Sequence, residues 1–220
     1  MHIPDGFVDL PTSAAFGVAA AIGVGAALKG AGKTLDDRTT PLAGLTAVFI
    51  FAAQMINFPV AAGTSGHLLG GTLAAVLVGP YSATLALTVV LLVQALMFAD
   101  GGLSALGLNV FNMSILGVWV SYAIYLALRK MLPKNRIGLL TAAAVAAYLS
   151  VPIAAVGFVF QYAIGGTGTA SVSTVLAAMV GTHLLIGVGE AIITFMTVSA
   201  ILAARSDLIY GWKPKLEVRA

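Results

Sequence analysis

The sequence has no cysteine and very little charge. None of its 220 residues is Cys, and only 9% are Asp, Glu, Lys or Arg. The missing Cys excludes disulfide bonds and thiolate metal ligands. A soluble domain carries about 25% charged residues to cover its surface, so the shortage of charge excludes an ordinary soluble domain. The small basic excess is expected in cytoplasmic loops and does not indicate nucleic-acid binding.

Apolar residues are abundant instead. They make up 60% of the chain, and its mean hydropathy is +1.02. This composition predicts an all-α membrane protein with seven transmembrane helices, because helices satisfy their own backbone polar groups in lipid. We expect one polytopic membrane domain over 1–220, with an N-terminal segment (1–12), a helical bundle (13–203) and a cytoplasmic tail (204–220). The predicted apolar segments are 13–29, 42–57, 66–79, 81–98, 106–128, 137–163 and 172–203.

The positions of the basic residues predict the orientation of the chain. All eleven Lys and Arg residues follow the first, fifth or seventh apolar segment, which lie on one side of a seven-span protein. The other side carries Asp5, Asp9 and Asp100 and no Lys or Arg. The positive-inside rule therefore predicts an outside N-terminus and a cytoplasmic C-terminus in the cell membrane. A six-span chain would break this pattern.

The third apolar segment is short. From His67 to Val78 a helix rises only about 18 Å, whereas the hydrocarbon core is about 30 Å thick. We therefore expect its outer end to lie sunk in the membrane, beneath a loop over 57–66 that lines a cavity. An extended segment over 1–11 is long enough to enter that cavity from outside.

The start of the chain offers an unusual set of nitrogen donors. Met1 is expected to be retained, because its removal requires a small second residue. Its amine, the His2 amide nitrogen and His2 Nδ1 then form two fused chelate rings, and His67 is the natural fourth donor. Square-planar nitrogen ligation selects Ni(II) or Cu(II) over Zn(II), Mg(II) or Ca(II). Each histidine considered alone has an alternative to metal binding. His2 could belong to a solvated chain end, and His67 could be a core histidine held by backbone carbonyls.

Three stretches resemble the NikM/CbiM family, the substrate-capture components of energy-coupling factor transporters for nickel and cobalt. They are MHIPDGF (1–7), GTSGHLLGG (63–71) and QALMFADGGLSALG (94–107), the last followed by Asn109 and by Asn112. The resemblance extends over the whole chain and is strongest in residues 1–115. The Thr-Ser-Gly-His form and the Pro-Asp pair near the start favour the nickel type.

The resemblance implies a seven-helix fold whose N-terminus is inserted into a central pocket. It implies that nitrogens of Met1, His2 and His67 hold the metal, which is Ni(II) or Co(II) as the transported substrate and not a catalytic cofactor. It also implies partners: a transmembrane coupling subunit, cytoplasmic ATPase subunits and often a small accessory membrane subunit. Such components hydrolyse no ATP, so we do not expect an enzyme.

Other polar residues are weaker candidates. Residues expected to support or gate the site are Thr64, Ser65, Asn109 and Asn112. His183 and Glu190 lie seven residues apart and share one face of the last helix. A functional interpretation makes them a second polar site, a proton relay or a contact to the coupling subunit. A structural interpretation makes them a buried pair that hydrogen-bonds to the backbone and to neighbouring Asn or Gln side chains.

Two other classes of function compete with metal capture. The sequence GTSG (63–66) also matches the nucleophile motif of rhomboid-like intramembrane serine proteases, with Ser65 as nucleophile and His183 as base. A stand-alone cation channel or secondary transporter would need a continuous path, and no paired repeat halves are visible. The protease interpretation leaves the first seven residues and His67 unexplained. No nucleotide-binding GxxxxGK[ST] motif is present, so partners have to supply the energy of transport.

Overall fold

The computed structural model describes residues 1–37, 39–60 and 65–212 as a bundle of helices. The helices are α1 (Leu10–Ala31), α2 (Thr39–Gln54), α3 (Gly71–Met97), α4 (Leu106–Asn109), α5 (Gly117–Met131), α6 (Arg136–Gly165) and α7 (Val172–Ala204). A π-helical turn over Val110–Leu116 joins α4 and α5 into one continuous rod, and a 3₁₀ turn (Ser206–Leu208) follows α7. Two short strands, β1 (Phe58–Pro59) and β2 (Ser65–Gly66), pair antiparallel.

The helices are long and apolar enough for a polytopic membrane protein. Five of the described rods have the length and composition to cross a bilayer: α1, α3, the joined α4–α5, α6 and α7. The remaining apolar helix, α2, is shorter, with 16 residues. Polar caps set where α1, α6 and α7 begin, because the side chains of Asp9, Asn135 and Ser171 each accept a hydrogen bond from a backbone N–H in the first turn.

The predicted third and fourth segments form two arms of one kinked element, α3. Gly79 breaks the helix with φ 78° and ψ 162°, a conformation that glycine adopts readily, and Pro80 follows it. The turn lies at the far end of α1, because a Cβ on Gly30 would clash with the Tyr81 ring. We call this the hairpin end of the bundle.

Both ends of α3 lie at the opposite end of the bundle. Just before α3, Leu69 accepts a hydrogen bond of 2.7 Å from Gln54 Nε2 at the end of α2. Just after α3, the Phe98 ring packs against Phe51, with 5.3 Å between centroids. The chain therefore enters and leaves α3 at the end where Met1 also lies, which we call the site end.

The prediction that the third helix begins near His67 is wrong. The helix begins at Gly71, and residues 65–70 are not helical. Gly70 has a φ of +77°, which ends the extended stretch and turns the chain into the helix. His67 is therefore presented by an extended strand-like segment, while the predicted short arm remains as residues 71–78.

Two hydrophobic clusters fill the bundle. The site-end cluster includes Met1, Ile3, Leu108, Phe158 and Ile186. The hairpin-end cluster is built on α3, α6 and α7, with Leu73, Leu87, Ala143 and Leu202 among its members. The N-terminal residues are thus part of the core at the site end and not a separate tail.

Candidate metal centre

The first nine residues, here called the N-terminal segment, are threaded into the site end. Ile3 is held at both backbone atoms: its N–H donates to Asn109 Oδ1 at 2.8 Å, and Asn109 Nδ2 donates to Ile3 O at 3.2 Å. The Gly102 N–H donates to the same oxygen at 2.9 Å. These bonds fix the position of the two residues before Ile3.

Further contacts anchor the segment behind this clamp. The carboxylate of Asp5 accepts hydrogen bonds from the Ser104 N–H (2.7 Å) and hydroxyl (2.6 Å). The Thr167 N–H donates to Phe7 O at 3.2 Å, and the Phe7 ring packs on Phe158 with 5.7 Å between centroids. The segment therefore runs between the α3–α4 loop and the α6–α7 loop, bonded to both.

Two glycines in the α3–α4 loop make room for this path. A Cβ on Gly102 would clash with the Asp5 backbone nitrogen. A Cβ on Gly101, whose φ is +95°, would stand 3.0 Å from His2 Cδ2. The loop backbone can therefore approach the N-terminal segment only because both residues lack a side chain.

The result is a buried chain start. Met1 is 1% exposed and His2 is 5% exposed. The His2 ring lies against the His67 ring, with 4.4 Å between centroids and 31° between planes. His67 itself is fully buried, at 0% exposure. The structure thus brings the predicted donors Met1, His2 and His67 into one buried site.

The hydrogen bonds of His67 define which of its nitrogens can bind a metal. His67 Nδ1 lies 2.7 Å from Leu68 O, and since a carbonyl only accepts, Nδ1 carries the proton. His67 Nε2 then has a lone pair, and it is buried without a hydrogen-bond partner. Fixing one ring nitrogen in this way orients the other as a metal ligand. Burial lowers the pKa of His67 well below its ordinary value, and repulsion from the Met1 amine, whenever that amine is protonated, lowers it further.

His2 lies beside a carboxylate. His2 Nδ1 is 3.0 Å from Asp100 Oδ1. This short contact is not a well-aligned hydrogen bond, because neither ring nitrogen of His2 has a partner with hydrogen-bond geometry. Asp100 also accepts a hydrogen bond of 3.3 Å from Asn57 Nδ2, which ties the site to the segment after α2.

The buried environment favours the metal-binding protonation states. Burial lowers the pKa of the Met1 amine well below its ordinary value, and Asp100 opposes this only in part. Burial likewise lowers the pKa of His2, again against the effect of Asp100. A metal needs an unprotonated amine and a neutral imidazole, so both shifts prepare the site for a cation.

The side chains alone do not make up a metal site. Within 1–37, 39–60 and 65–212, no three His, Asp or Glu side chains form a group able to hold a metal ion. A centre with three or more protein ligands among these residues therefore has to use main-chain nitrogens as well. The Met1 amine and the His2 amide are the main-chain nitrogens next to the two rings.

The polar pair predicted on α7 serves two different neighbours. Glu190 accepts hydrogen bonds from the N–H groups of Leu69 (2.8 Å) and Gly70 (2.7 Å), so it fixes the turn between His67 and α3. His183 Nδ1 instead lies 2.6 Å from Met179 O. Each side chain therefore has a backbone partner of its own.

The two predicted supporting asparagines have different roles. Asn109 clamps Ile3, as described above. Asn112 makes a reciprocal amide pair with Gln161 at 2.8 and 3.0 Å and does not bond to the N-terminal segment. Thr64 and the side chain of Ser65 lie outside the described residues.

Sequence reasoning missed the contacts of the α3–α4 loop. It used Asp100 only for membrane topology and as part of a family resemblance, although the carboxylate lies against His2. It interpreted Gly101 and Gly102 as an outward turn, and it used Ser104 only as part of a family resemblance. The available signal was the Asp-Gly-Gly turn itself, since adjacent glycines often mark a close approach of backbone to another group.

Comparison with known proteins places these features in a family. Residues 2–208 match CbiM, described as the cobalt uptake substrate-specific transmembrane region. The chain is 40% identical over 209 residues to a putative fused nickel transport protein NikMN of Archaeoglobus fulgidus, a match that covers 95% of this chain and 68% of that protein. It is 39% identical over 212 residues to a putative metal transport protein of Haloquadratum walsbyi, covering 96% and 94%.

Solved structures agree with these sequence matches. A crystal structure of a transition metal transporter superposes with a TM-score of 0.86 and one of a truncated form with 0.84, both at 31% identity. Each covers 93% of this chain, and the matches span 93% and 99% of those chains. The fold and the matches thus define a multi-pass membrane protein of the metal-transport class. The chain belongs to the CbiM family, whose members include nickel and cobalt transport proteins.

Proposed function

We propose that this protein captures Ni(II), or Co(II), from outside the cell as the substrate-binding subunit of an energy-coupling factor transporter. The metal is the transported substrate, and the protein is a transporter component and not an enzyme. Nitrogens of Met1, His2 and His67 hold the metal.

One observation carries this proposal: the chain start is buried against a histidine that has a free lone pair. A solvated end would leave its amine in water, whereas Met1 is 1% exposed here. The His2 ring lies 4.4 Å from the ring of His67, whose Nε2 has no hydrogen-bond partner. Leaving such groups buried without a partner costs about 1–3 kcal/mol each, which a bound cation offsets.

The donor set suits a small divalent transition metal. The Met1 amine, the His2 amide and His2 Nδ1 supply a planar tridentate chelate, and His67 Nε2 supplies the fourth nitrogen, a geometry that Ni(II) favours. His2 Nδ1 faces Asp100 in this structure, so metal capture moves this nitrogen from the carboxylate to the metal. Asp100 then remains beside the centre as a negative charge opposite the cation.

The proposed orientation follows from the charges at the two ends. The described part of the site end carries Asp5, Asp9 and Asp100, while Lys29 and Arg129 mark the hairpin end. We place the site end outside and the hairpin end in the cytoplasm of a cell membrane. The chain then crosses or enters the bilayer seven times, because α3 contributes two arms.

The partners in this proposal are a transmembrane coupling subunit and cytoplasmic ATPase subunits, with a small accessory membrane subunit as a further candidate. The sequence has no nucleotide-binding motif, so this subunit depends on others for energy. Nickel is favoured over cobalt as the substrate. The relatives named nickel transporters reach 40% and 41% identity, whereas those named cobalt transporters lie between 30% and 35%.

Titration of Ni(II) into two forms of the purified protein tests the proposal. One form has the native N-terminus, and the other carries an N-terminal extension that is not cleaved. The native form is expected to bind one Ni(II). The extended form is expected to lose at least about 100-fold in affinity, because it has no free Met1 amine and cannot insert a buried chain start.

The control is the same extension at the C-terminus, which leaves Met1 free. It is expected to bind like the native form. Equal Ni(II) affinity in the native and N-terminally extended proteins would show that the chain start is not a ligand and would defeat the proposal.

A further inference from the structure

The chain has three histidines, and the structure brings the third, His183, against the strand that carries His67. His183, on α7, packs against the strand that presents His67: a Cβ on Gly66 would stand 3.6 Å from His183 Cε1. A charge on His183 would repel a charge on His67 or on the Met1 amine, which places the three groups near one another. It is fully buried, at 0% exposure.

His183 presents its lone pair in the same way as His67. Its Nδ1 lies 2.6 Å from Met179 O and therefore carries the proton. Its Nε2 is buried and has no hydrogen-bond partner. Each ring is thus fixed through Nδ1 by a backbone carbonyl, with Nε2 left as an available ligand, the arrangement that proteins use to orient metal-binding histidines.

The three-nitrogen chelate and His67 already complete a square around Ni(II), so His183 is not needed for capture. Withdrawal of the N-terminal segment removes the donors of Met1 and His2 together. A metal that then had His67 alone would leave with the segment. A second imidazole within reach of the same metal would keep it inside the bundle.

We propose that His67 and His183 form a second position for Ni(II) or Co(II), which holds the ion when the N-terminal segment withdraws. This inference rests on the proposed function, because it takes the metal as the cargo. His67 stays bound in both positions, and the metal exchanges the Met1 and His2 nitrogens for His183 Nε2. Imidazole is a good ligand for Ni(II), so a two-imidazole position completed by water is chemically reasonable.

A purely structural histidine would behave differently on substitution. The side-chain amide of Asn places an N–H close to where Nδ1 of His stands, so His183→Asn keeps a donor for Met179 O and removes Nε2. If His183 only satisfies that carbonyl, the variant is equivalent to the wild type in every metal measurement. His183→Asn is therefore the matched variant for the test.

The experiment measures Ni(II) binding in four full-length proteins: native and His183→Asn, each with a free or an extended N-terminus. With a free N-terminus, both are expected to bind one Ni(II) with affinities within about threefold, because His183 is outside the capture chelate. With the extension, the His183 protein is expected to retain a weaker site, and His183→Asn is expected to weaken that site by at least about tenfold.

Pulsed electron paramagnetic resonance with Cu(II) as the probe counts the imidazoles directly. Extended protein with His183 is expected to show two coordinated imidazoles, and extended His183→Asn to show one. Thermal unfolding without metal shows that both are folded.

Three outcomes would overturn the inference. One is an extended protein that binds no Ni(II) while the native protein does. Another is residual binding that His183→Asn leaves unchanged. The third is a His183→Asn protein with a free N-terminus that loses affinity as strongly as a His67 variant, since His183 would then belong to the first position. Failure of the proposed function is distinct: the native protein would then bind no Ni(II), or the native and extended proteins would bind it with equal affinity.

Discussion

The two ends of the bundle use the same helices for different purposes. At the site end, α3, α6 and α7 enclose polar groups, including the histidines His2, His67 and His183 and the amides of Asn109 and Asn112. At the hairpin end, the same helices pack small apolar side chains closely. The fully buried alanines of that cluster are Ala74, Ala75, Ala83, Ala142, Ala143 and Ala146.

This difference separates binding from stability. At the site end, altering the groups that carry the proposed ligand nitrogens or clamp the N-terminal segment is expected to change metal affinity. Alanines at the hairpin end allow the helices to approach, so altering them is expected to change the free energy of unfolding.

The largest expected effect is at His67. Asn in its place keeps a side-chain N–H near Leu68 O and removes the Nε2 lone pair. We expect His67→Asn to weaken Ni(II) binding by at least about 100-fold, more than the loss of a residue that only supports a ligand. Isothermal titration with Ni(II) measures the affinity.

Thermal unfolding without metal is the control for His67→Asn. The variant is expected to unfold within a few degrees of the wild type, because the backbone hydrogen bond is kept. If this variant bound Ni(II) with wild-type affinity, His67 would not be a metal ligand. The proposed difference between a binding end and a stabilising end would then not hold.

A smaller effect is expected at Asn109. Asn109→Ala removes both of its hydrogen bonds to the Ile3 backbone and leaves the buried Ile3 N–H without that partner, while Ile3 O keeps the Gly102 N–H. An unsatisfied buried group costs about 1–3 kcal/mol, so Ni(II) affinity is expected to fall roughly 10- to 100-fold as the N-terminal segment loosens. Limited aminopeptidase digestion, followed by mass spectrometry, reports how often the segment leaves its position.

Asn112→Ala is the matched control, because it removes an equally buried asparagine whose partner is Gln161. It is expected to lower stability and to leave Ni(II) affinity and aminopeptidase resistance close to the wild type. If both variants lose metal affinity equally, the loss reflects general loosening of the bundle and not release of the segment.

The hairpin end is expected to show the reverse behaviour. Ala143 is fully buried on α6, and Ala143→Leu forces extra volume between helices. Overpacking of this kind costs about 1–3 kcal/mol in the free energy of unfolding. Measured well below the unfolding temperature, the Ni(II) affinity of this variant should match that of the wild type, and a large loss of affinity would mean that the two ends are coupled.

Much of the fold was predictable because membrane helices are long and apolar. Apart from residues 55–57, 66–70 and 98, the predicted segments lie on helices, and the polytopic class is confirmed by five long apolar rods. The prediction failed at the start of the third helix, where residues 65–70 are apolar enough to continue a helical segment. What stops the helix there is not visible in hydropathy: Gly70 adopts a positive φ, and Glu190, distant in sequence, binds the Leu69 and Gly70 N–H groups.

The site was predictable only in part, for a related reason. Met1, His2 and His67 have recognisable donor chemistry, and the structure places them together. The contacts that hold them come from residues with ordinary roles elsewhere. Asn109 binds the backbone of Ile3, 106 residues away in the sequence, and Asp100 faces His2. Neither contact can be recognised before the chain is folded.

The smallest expected effect is at Asp5, which tests how much the exposed edge of the site end contributes. Two hydrogen bonds from Ser104 lower the pKa of Asp5 below its ordinary value of 3.8. A carboxyl with a lowered pKa stabilises the folded protein at pH values above its unfolded pKa, and this contribution is lost as the pH falls through the folded value. Asp5 is therefore ionised from about pH 5 to pH 8, and its contribution to the stability of the folded protein is constant over that range.

Asp5→Asn keeps an oxygen acceptor for Ser104 but removes the charge that strengthens both hydrogen bonds. Because Asp5 is exposed, we expect only about a two- to threefold loss of Ni(II) affinity. The ratio between wild-type and variant affinities is expected to stay constant between pH 5 and pH 8, measured by titration in parallel buffers. A ratio that changes across this range would mean that the Asp5 carboxyl acts on the metal site through a group titrating there. The exposed edge would then belong to the site itself and not only to its anchoring.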